Sequence, residues 1–220
     1  MAEIWLLLHS SAAAAADNMA CDEMLLRTAA GRARPLLRVY SWSERAVTFG
    51  YFQHFPAELA ANYICIRRPT GGGVVYHDAD TTYTVVVPPG HALHTMSTTD
   101  AYNALHQAVA AAFEWRPQLH HAAIASPHGQ YECFQAPVAG DVVADGRKLA
   151  GGAQRRGKWG MLHQGSIAAK ISVAQLQAGF RQIFHADFQP YALTPAEKEL
   201  AEKLTREKYA TAAWNQRITA

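Results

Sequence analysis

No stretch of 18 consecutive apolar residues occurs in the 220-residue sequence, so no membrane-spanning helix is expected. Cysteine is scarce. Cys21, Cys65 and Cys133 are too few and too widely spaced for a disulfide framework or a paired C-x-x-C metal site. A reducing cytoplasm fits that usage. The chain start has acidic Glu3 and only a short apolar run at residues 4–8 before His9, so it lacks the basic segment and long apolar core of an export signal. Charge of one sign is also lacking: 20 basic and 18 acidic residues leave a formal net charge of +2, too weak a field to mark nucleic acid or an anionic membrane as a partner. The 11 histidines are scattered, and the adjacent His120-His121 pair cannot share a helical face as i, i+4 ligands do, so no metal site is expected.

What is there is ordinary for a globular chain, with 50% hydrophobic and 17% charged residues, and no repeat, linker or low-complexity segment divides it. Residues 1–220 are therefore expected to form one domain. Apolar periodicity predicts a strand over residues 4–8 and an Ala-rich helix over 12–30 that Gly31 stops. Strands at 36–42 and 46–50 are expected to form a hairpin around Ser43-Glu44, with a short helix at 56–62 and a strand at 64–67 after it. The β-branched runs 74–77 and 82–87 read as a second hairpin, and a helix follows from Thr98 or Thr99 to Phe113. Residues 126–130 read as a polar loop. Asp145-Gly146 is the strongest hairpin signal, between strands 142–144 and 147–150. A strand at 159–167 precedes amphipathic helices at 173–184 and 195–209. Strands and helices do not alternate regularly, which argues for an α+β arrangement over a doubly wound nucleotide fold.

Three segments carry chemistry. In Arg67-Arg68-Pro69-Thr70-Gly71-Gly72-Gly73, two guanidinium groups precede glycines whose backbone amides can face a phosphate or carboxylate. Alone it reads as a turn between strands. It has neither the Lys-Ser/Thr ending of a P-loop nor the spacing of a dinucleotide fingerprint. Lys148 follows the Asp145-Gly146 turn and precedes Gly151, Gly152 and Ala153, small residues that let a ligand approach the backbone. Standing alone, it would be a solvated hairpin lysine. Cys133 lies in a loop segment, Tyr131 to Pro137, fifteen residues before Lys148. A cation nearby lowers a thiol from its free pKa of roughly 8.5 and raises the thiolate fraction. Cys21 and Cys65 lie within apolar patterns and read as small buried hydrophobes.

Taken together, RRPTGGGVVYHD at residues 67–78 and GRKLAGGAQRR at 146–156 resemble the two signatures of the lipoate-protein ligase A family. LHQGSI at 162–167 resembles its third element, and Asn18-Met19-Ala20 with residues 40–53 look like its N-terminal segments, so nearly the whole chain is covered. The resemblance implies an α+β fold like the catalytic core of biotin and lipoate protein ligases, itself similar to class II aminoacyl-tRNA synthetases: a mixed, mostly antiparallel sheet flanked by helices. It also implies a tunnel for an acyl chain, with Lys148 catalytic. Arg68, Thr70, Gly71, Gly72, Gly73, Val74, Val75, Tyr76, His77, Gly151, Ala153, His163 and Gly165 become the substrate-binding residues.

Two branches of that family differ in chemistry. Ligases activate lipoate with ATP and Mg to an acyl-adenylate; octanoyltransferases need no cofactor and move octanoate from an acyl carrier protein through a cysteine thioester. Cys133, followed by Pro137 and then by Gly-Arg-Lys, resembles the cysteine-dependent octanoyltransferases most closely, as does the run Asp80 to Thr84. The expected reaction is ping-pong, from octanoyl acyl carrier protein to Cys133 and then to a lysine of a lipoyl domain or glycine-cleavage H protein. No C-terminal accessory domain is expected after residue 167. Ligation of lipoate and a non-catalytic acyl- or partner-binding role are the alternatives. Two departures from the pattern stand out: Gln164 replaces a histidine common in the third element, and Gly73 matches the ligase form of the glycine triplet.

Overall fold

The structure, a computed structural model, describes residues 2–121 and 137–217. Its elements in chain order are β1 (Glu3–His9), α1 (Ala15–Arg27), α2 (Ala29–Arg32), β2 (Leu36–Tyr40), β3 (Ala46–Phe49), a 3-10 turn at Ala57–Leu59, β4 (Ile64–Arg67), β5 (Val75–His77) and β6 (Thr81–Val87). Then come α3 (Ala92–Thr95), α4 (Thr98–Ala111), β7 (Gln118–Leu119), β8 (Val142–Ala144), β9 (Arg147–Gly157), β10 (Gly160–Ile167), α5 (Val173–Phe184), β11 (Ala186–Pro190), α6 (Pro195–Leu204), a π-helical turn at Thr205–Tyr209 and α7 (Ala212–Asn215). No helix among the described residues is long and apolar enough to cross a membrane.

Eight strands form one sheet in the order β11-β1-β2-β6-β10-β9-β8-β7, and β4-β3-β5 form a second. In the large sheet only β1 pairs in parallel, with β11 and β2; the pairings from β2 to β7 are antiparallel. The expected α+β fold is therefore what the chain adopts. Alternation along the central strands sets two cores. Tyr83, Val85 and Val87 of β6 face α4 and α5, meeting Leu105, Val109 and Phe180 around the fully buried Trp5. Val86 and Leu162 face the other way, toward Met19, Met24 and Leu25 of α1 and Leu204 of α6.

The helices start where the sequence supplies caps. Ser97, Ser172 and Thr194 accept hydrogen bonds from the backbone amides of Asp100, Gln175 and Glu197, and the last two form reciprocal capping boxes. Gly31 does not stop the first helix. Thr28 interrupts it with non-helical backbone, and the second segment runs through Gly31 to a left-handed Ala33.

Neither early hairpin forms. Although β2 and β3 are consecutive, β2 pairs with β1 and β6 in the large sheet whereas β3 pairs with β4 and β5 in the small one. Likewise β5 and β6 belong to different sheets. Both connections cross from sheet to sheet, and the cleft between them is the feature that local turn chemistry does not encode. The Asp145-Gly146 hairpin does form, with both residues at positive φ, but β9 continues through the glycine pair to Gly157. The strand β11 adds to the sheet edge beside β1. The polar loop expected at residues 126–130 lies outside the described residues.

Candidate active site

Between the two sheets lies a cavity of about 450 Å³ measured out to its opening, within the roughly 300–1,000 Å³ of small-molecule pockets. Bare backbone makes one wall: Gly151, Gly152 and Ala153 of β9 beside Gly165 of β10. Thr48, Val75 and His77 of the small sheet make the opposite wall, and Met19, Tyr40 and Trp42 close it with apolar surface. The cations Arg68 and Lys148 also belong to its lining.

Lys148 is placed by a carboxylate. Its Nζ is 2.8 Å from Asp141 Oδ2, and the two side chains are only 6% and 0% exposed. Asp141 Oδ2 also accepts from the Val138 amide at 2.8 Å, and Asp141 Oδ1 accepts from the Tyr102 hydroxyl at 2.6 Å. Tyr102 in turn accepts from the Gly152 amide at 3.0 Å. One tyrosine of α4 thereby joins the turn before β8 to the strand that carries the lysine. Gly151 leaves the space that the ammonium occupies, since a Cβ there would overlap Lys148 Cε and reach Asp141 Oδ1. These residues make the Lys-Leu-Ala-Gly-Gly string intelligible as a lysine folded back over its own strand.

The glycine loop is built differently from the anion cradle that its sequence suggests. Arg68 donates to the carbonyls of Thr48, Gly71 and Gly73 at 2.6–3.2 Å, and Arg67 donates to those of Tyr51, Trp214, Asn215 and Arg217. Both guanidinium groups are committed to backbone oxygens, so they brace the loop. Gly72 adopts φ 84, and its carbonyl packs so closely on Gly50 that any side chain at Gly50 would overlap it.

Of the residues expected to bind substrate, Arg68, Val75, His77, Gly151, Ala153 and Gly165 line the cavity together with Lys148. Thr70 stands one layer behind, donating to Gln164 Oε1 at 2.7 Å. Gly71, Gly72, Gly73 and Val74 form the braced turn and are not in the wall. Tyr76 points to the opposite face of its strand from Val75 and meets the Tyr63 ring edge-on at 5.3 Å. His163 is fully buried on the far side of the large sheet, 3.0 Å from the Tyr83 hydroxyl, and does not face the cavity. It therefore does not take the place of the missing histidine at 164. Cys133 lies outside the described residues. Cys21 is buried, and burial pushes its thiol up to about 11, while Cys65 is half-buried with its thiol also raised by burial.

Several residues here have partners that the sequence does not name. Gln164 lines the cavity and donates to Asp22 Oδ2 at 2.7 Å. Asp22 is completely buried and also receives Arg38 at 2.7 Å, Thr84 at 2.8 Å and Tyr40 at 3.1 Å. Desolvation would make that carboxylate expensive, and four donors offset the cost. Asp80 accepts from His77, Thr82 and Ser166 on one oxygen. A hydrophilic residue inside an apolar period is the only sequence signal for such a network, and it does not name the partners.

An α+β pair of sheets that encloses a largely apolar cavity with one carboxylate-tethered lysine is suited to an apolar acyl group. The lipoyl protein ligase A/B catalytic domain matches residues 14–213, and the chain belongs to that family, as an acyltransferase. It is 29% identical to the octanoyltransferase LipM of Geobacillus kaustophilus over 97% of this chain and 98% of that one. With the octanoyltransferase LipM of Anoxybacillus flavithermus it shares 32% identity over 81% and 70% of the two chains. In fold it is similar to a T. acidophilum lipoate protein ligase candidate solved with lipoic acid, with a TM-score of 0.79, 24% identity and 99% and 100% coverage. A lipoate-protein ligase A bound with ATP has the same TM-score at 23% identity, over 99% and 100% of the chains.

Proposed function

We propose that the chain moves an octanoyl group from an octanoyl acyl carrier protein to a lysine of a lipoyl domain or glycine-cleavage H protein, through a thioester on Cys133 and without a cofactor. The observation that carries this reading is the shared oxygen of Asp141, which holds both the Lys148 ammonium and the amide of Val138, five residues after Cys133. Val138 is thus tied beside the lysine. In the first half-reaction the Cys133 thiolate forms a bond to the acyl carbon and the carrier thiol leaves. In the second the acceptor amine forms the amide and Cys133 leaves as thiolate. Lys148 favours both the thiolate and the polarised carbonyl. Burying an eight-carbon chain against Met19, Tyr40, Trp42 and Val75 contributes roughly 0.8 kcal/mol per methylene, which selects medium chains over acetyl.

ATP-dependent ligation of lipoate is the second reading, and Gly73 together with the ligase fold neighbours favours it. The two arginines of the glycine loop do not fit a triphosphate, because their N–H groups are spent on backbone carbonyls. No step is assigned to ATP. The test is to incubate the enzyme with octanoyl acyl carrier protein, or with lipoate plus ATP, in the presence of a lipoyl domain, and to weigh both proteins. Octanoyl on Cys133 and then on the acceptor, abolished in Cys133→Ser, is expected. Full ATP-independent transfer by Cys133→Ser would overturn the thioester route, and acceptor modification only with lipoate and ATP would establish the ligase.

A further inference from the structure

Thr48, His77 and Asp80 form a hydroxyl, imidazole and carboxylate chain in the wall of the cavity, and the transfer reading leaves it without a task. Thr48 Oγ1 is 3.0 Å from His77 Nε2, and His77 Nδ1 is 2.8 Å from Asp80 Oδ2. The neighbours orient each group. Trp42 Nε1 donates to Thr82 Oγ1 at 2.8 Å, which turns the Thr82 hydrogen toward Asp80 Oδ2, 2.9 Å away; Ser166 donates to the same oxygen at 2.6 Å. Burial alone would raise the Asp80 carboxyl, but the hydrogen bonds from His77, Ser166 and Thr82 hold it below the usual carboxylate range. An ionised Asp80 only accepts, so the His77 proton sits on Nδ1. At the other end Arg68 Nη1 donates to Thr48 Oγ1 at 3.3 Å, leaving the Thr48 hydrogen for His77 Nε2 whenever that nitrogen carries no proton. The Trp42 ring stacks on the imidazole at 4.0 Å and 23°, fixing its plane.

This is the arrangement that activates a proton acceptor: a basic imidazole nitrogen oriented by a buried carboxylate on its other side. Amide formation needs one. The attacking nitrogen must lose a proton inside a site where the His77 side chain is 3% exposed, so bulk water does not reach the imidazole to take it. Thr48 and His77 both line the cavity that holds the acyl group.

We propose that His77, held by Asp80, is the proton acceptor of the amide-forming step, with the Thr48 hydroxyl as its relay to the incoming lysine amine. This rests on the reading that an amine attacks an acyl thioester here. The amine nitrogen bonds to the acyl carbon, the C–S bond breaks, and its electron pair leaves on the Cys133 sulfur. The surplus proton on nitrogen passes to Thr48 Oγ1 as the Thr48 hydrogen passes to His77 Nε2. The resulting imidazolium, paired with Asp80, passes its proton back through the Thr48 hydroxyl to the water that refills the cavity when the acylated acceptor departs.

The two half-reactions separate this role from a structural one. Enzyme is octanoylated from octanoyl acyl carrier protein, isolated, and mixed rapidly with a lipoyl domain, with both steps followed by intact mass. In His77→Gln, amide formation slows about 100-fold, the lower end of general-base effects, and falls at least about tenfold further than octanoylation of the enzyme does. Asp80→Asn slows the same step about tenfold. In His77→Ala, imidazole added to the buffer restores part of the amide-forming rate, which a merely structural loss would not allow. Amide formation in His77→Gln within about threefold of the parent, or a parallel fall of both steps without imidazole rescue, would overturn the relay. Should the parent enzyme form no thioester, the Cys133 route fails by itself. The same three variants then test the relay on amide formation from the donor that the parent does use.

Discussion

Lys148 Nζ lies 2.8 Å from Asp141 Oδ2, in space that exists only because Gly151 has no side chain. The carboxylate is fully buried and has three donors, the ammonium among them. Removing either partner has unequal consequences. Asp141→Ala removes the acceptor of the Tyr102 hydroxyl and the Val138 amide together with the counter-charge beside Lys148, and costs about 3–5 kcal/mol of stability. Lys148→Met leaves the carboxylate with its two remaining donors and costs less, roughly 1–3 kcal/mol. Acyl transfer is lost in both. Urea titration beside a transfer assay checks this order, and equal stability losses would show that the pair is not what holds the turn at Val138.

Gly151 and Gly152 are neighbours with opposite duties. A methyl group at Gly151 meets the end of Lys148, which must draw away from Asp141; at Gly152 it meets the His163 ring at 2.6 Å and the Gln164 carbonyl at 2.9 Å, which are packed in the sheet. Gly151→Ala is expected to lower transfer at least 100-fold with a stability loss no larger than that of Lys148→Met, roughly 1–3 kcal/mol, and Gly152→Ala to destabilise by about 1–3 kcal/mol through overpacking of the sheet. Thermal unfolding and initial rates on both variants check this, and a Gly151→Ala enzyme of normal rate would remove the lysine from the chemistry.

How much of this could be read from the sequence follows from the range of each interaction. Local rules place the helices that start after Ser172 and Thr194 and the Asp145-Gly146 turn, because the cap or turn residue and its partner lie within three residues; the cap expected at Thr98 or Thr99 is Ser97 instead. The family signatures bring Lys148, Arg68 and His77 to one cavity. The connections from β2 to β3 and from β5 to β6 are misread as hairpins because alternation tells a strand which face is apolar and not which sheet it joins. Asp141, Tyr102 and Thr48 escape for the same reason: each is one polar residue whose partner lies seven to fifty positions away.

Two buried histidines make the fold acid-sensitive. His106 donates through Nδ1 to the Gly140 carbonyl at 2.6 Å, and burial lowers it from 6.5 to about 4; His163, 5.4 Å away ring to ring, is lowered further by burial and by His106 and Arg156. Unfolded chains bind these protons at ordinary pKa values. The stability tied to a neutral His106 is therefore fully present above about pH 6.5, falls as the pH drops toward 4, and changes no further below it, a total on the order of 3 kcal/mol. His106→Gln cannot take up the proton. Its stability should fall less steeply through that window, by up to about 1.4 kcal/mol per pH unit, in urea titrations from pH 7 to 4. Parallel wild-type and variant slopes would assign the acid sensitivity to other groups.

Gln164 stands where the family resemblance leads one to expect a histidine, and the hydrogen bonds around it say what a replacement must do. Its amide donates to Asp22 at 2.7 Å and accepts from Thr70 at 2.7 Å, joining the buried Arg38-Asp22 pair to the residue that leads into the glycine loop. Leucine keeps the size and loses both bonds. Gln164→Leu leaves the nearly inaccessible Thr70 hydroxyl without its acceptor and removes one of four donors from Asp22, a cost of roughly 1–3 kcal/mol. The loop it anchors carries Arg68, so substrate KM should rise more than kcat falls. A neutral imidazole offers one donor and one acceptor on opposite sides of a ring, the same inventory that this amide uses. Gln164→His is therefore expected to keep stability within about 1 kcal/mol and transfer within about threefold, while Gln164→Leu loses both. If histidine proves as damaging as leucine, the bridge between Asp22 and Thr70 is specific to the amide, and the rest of this network must have adjusted to glutamine.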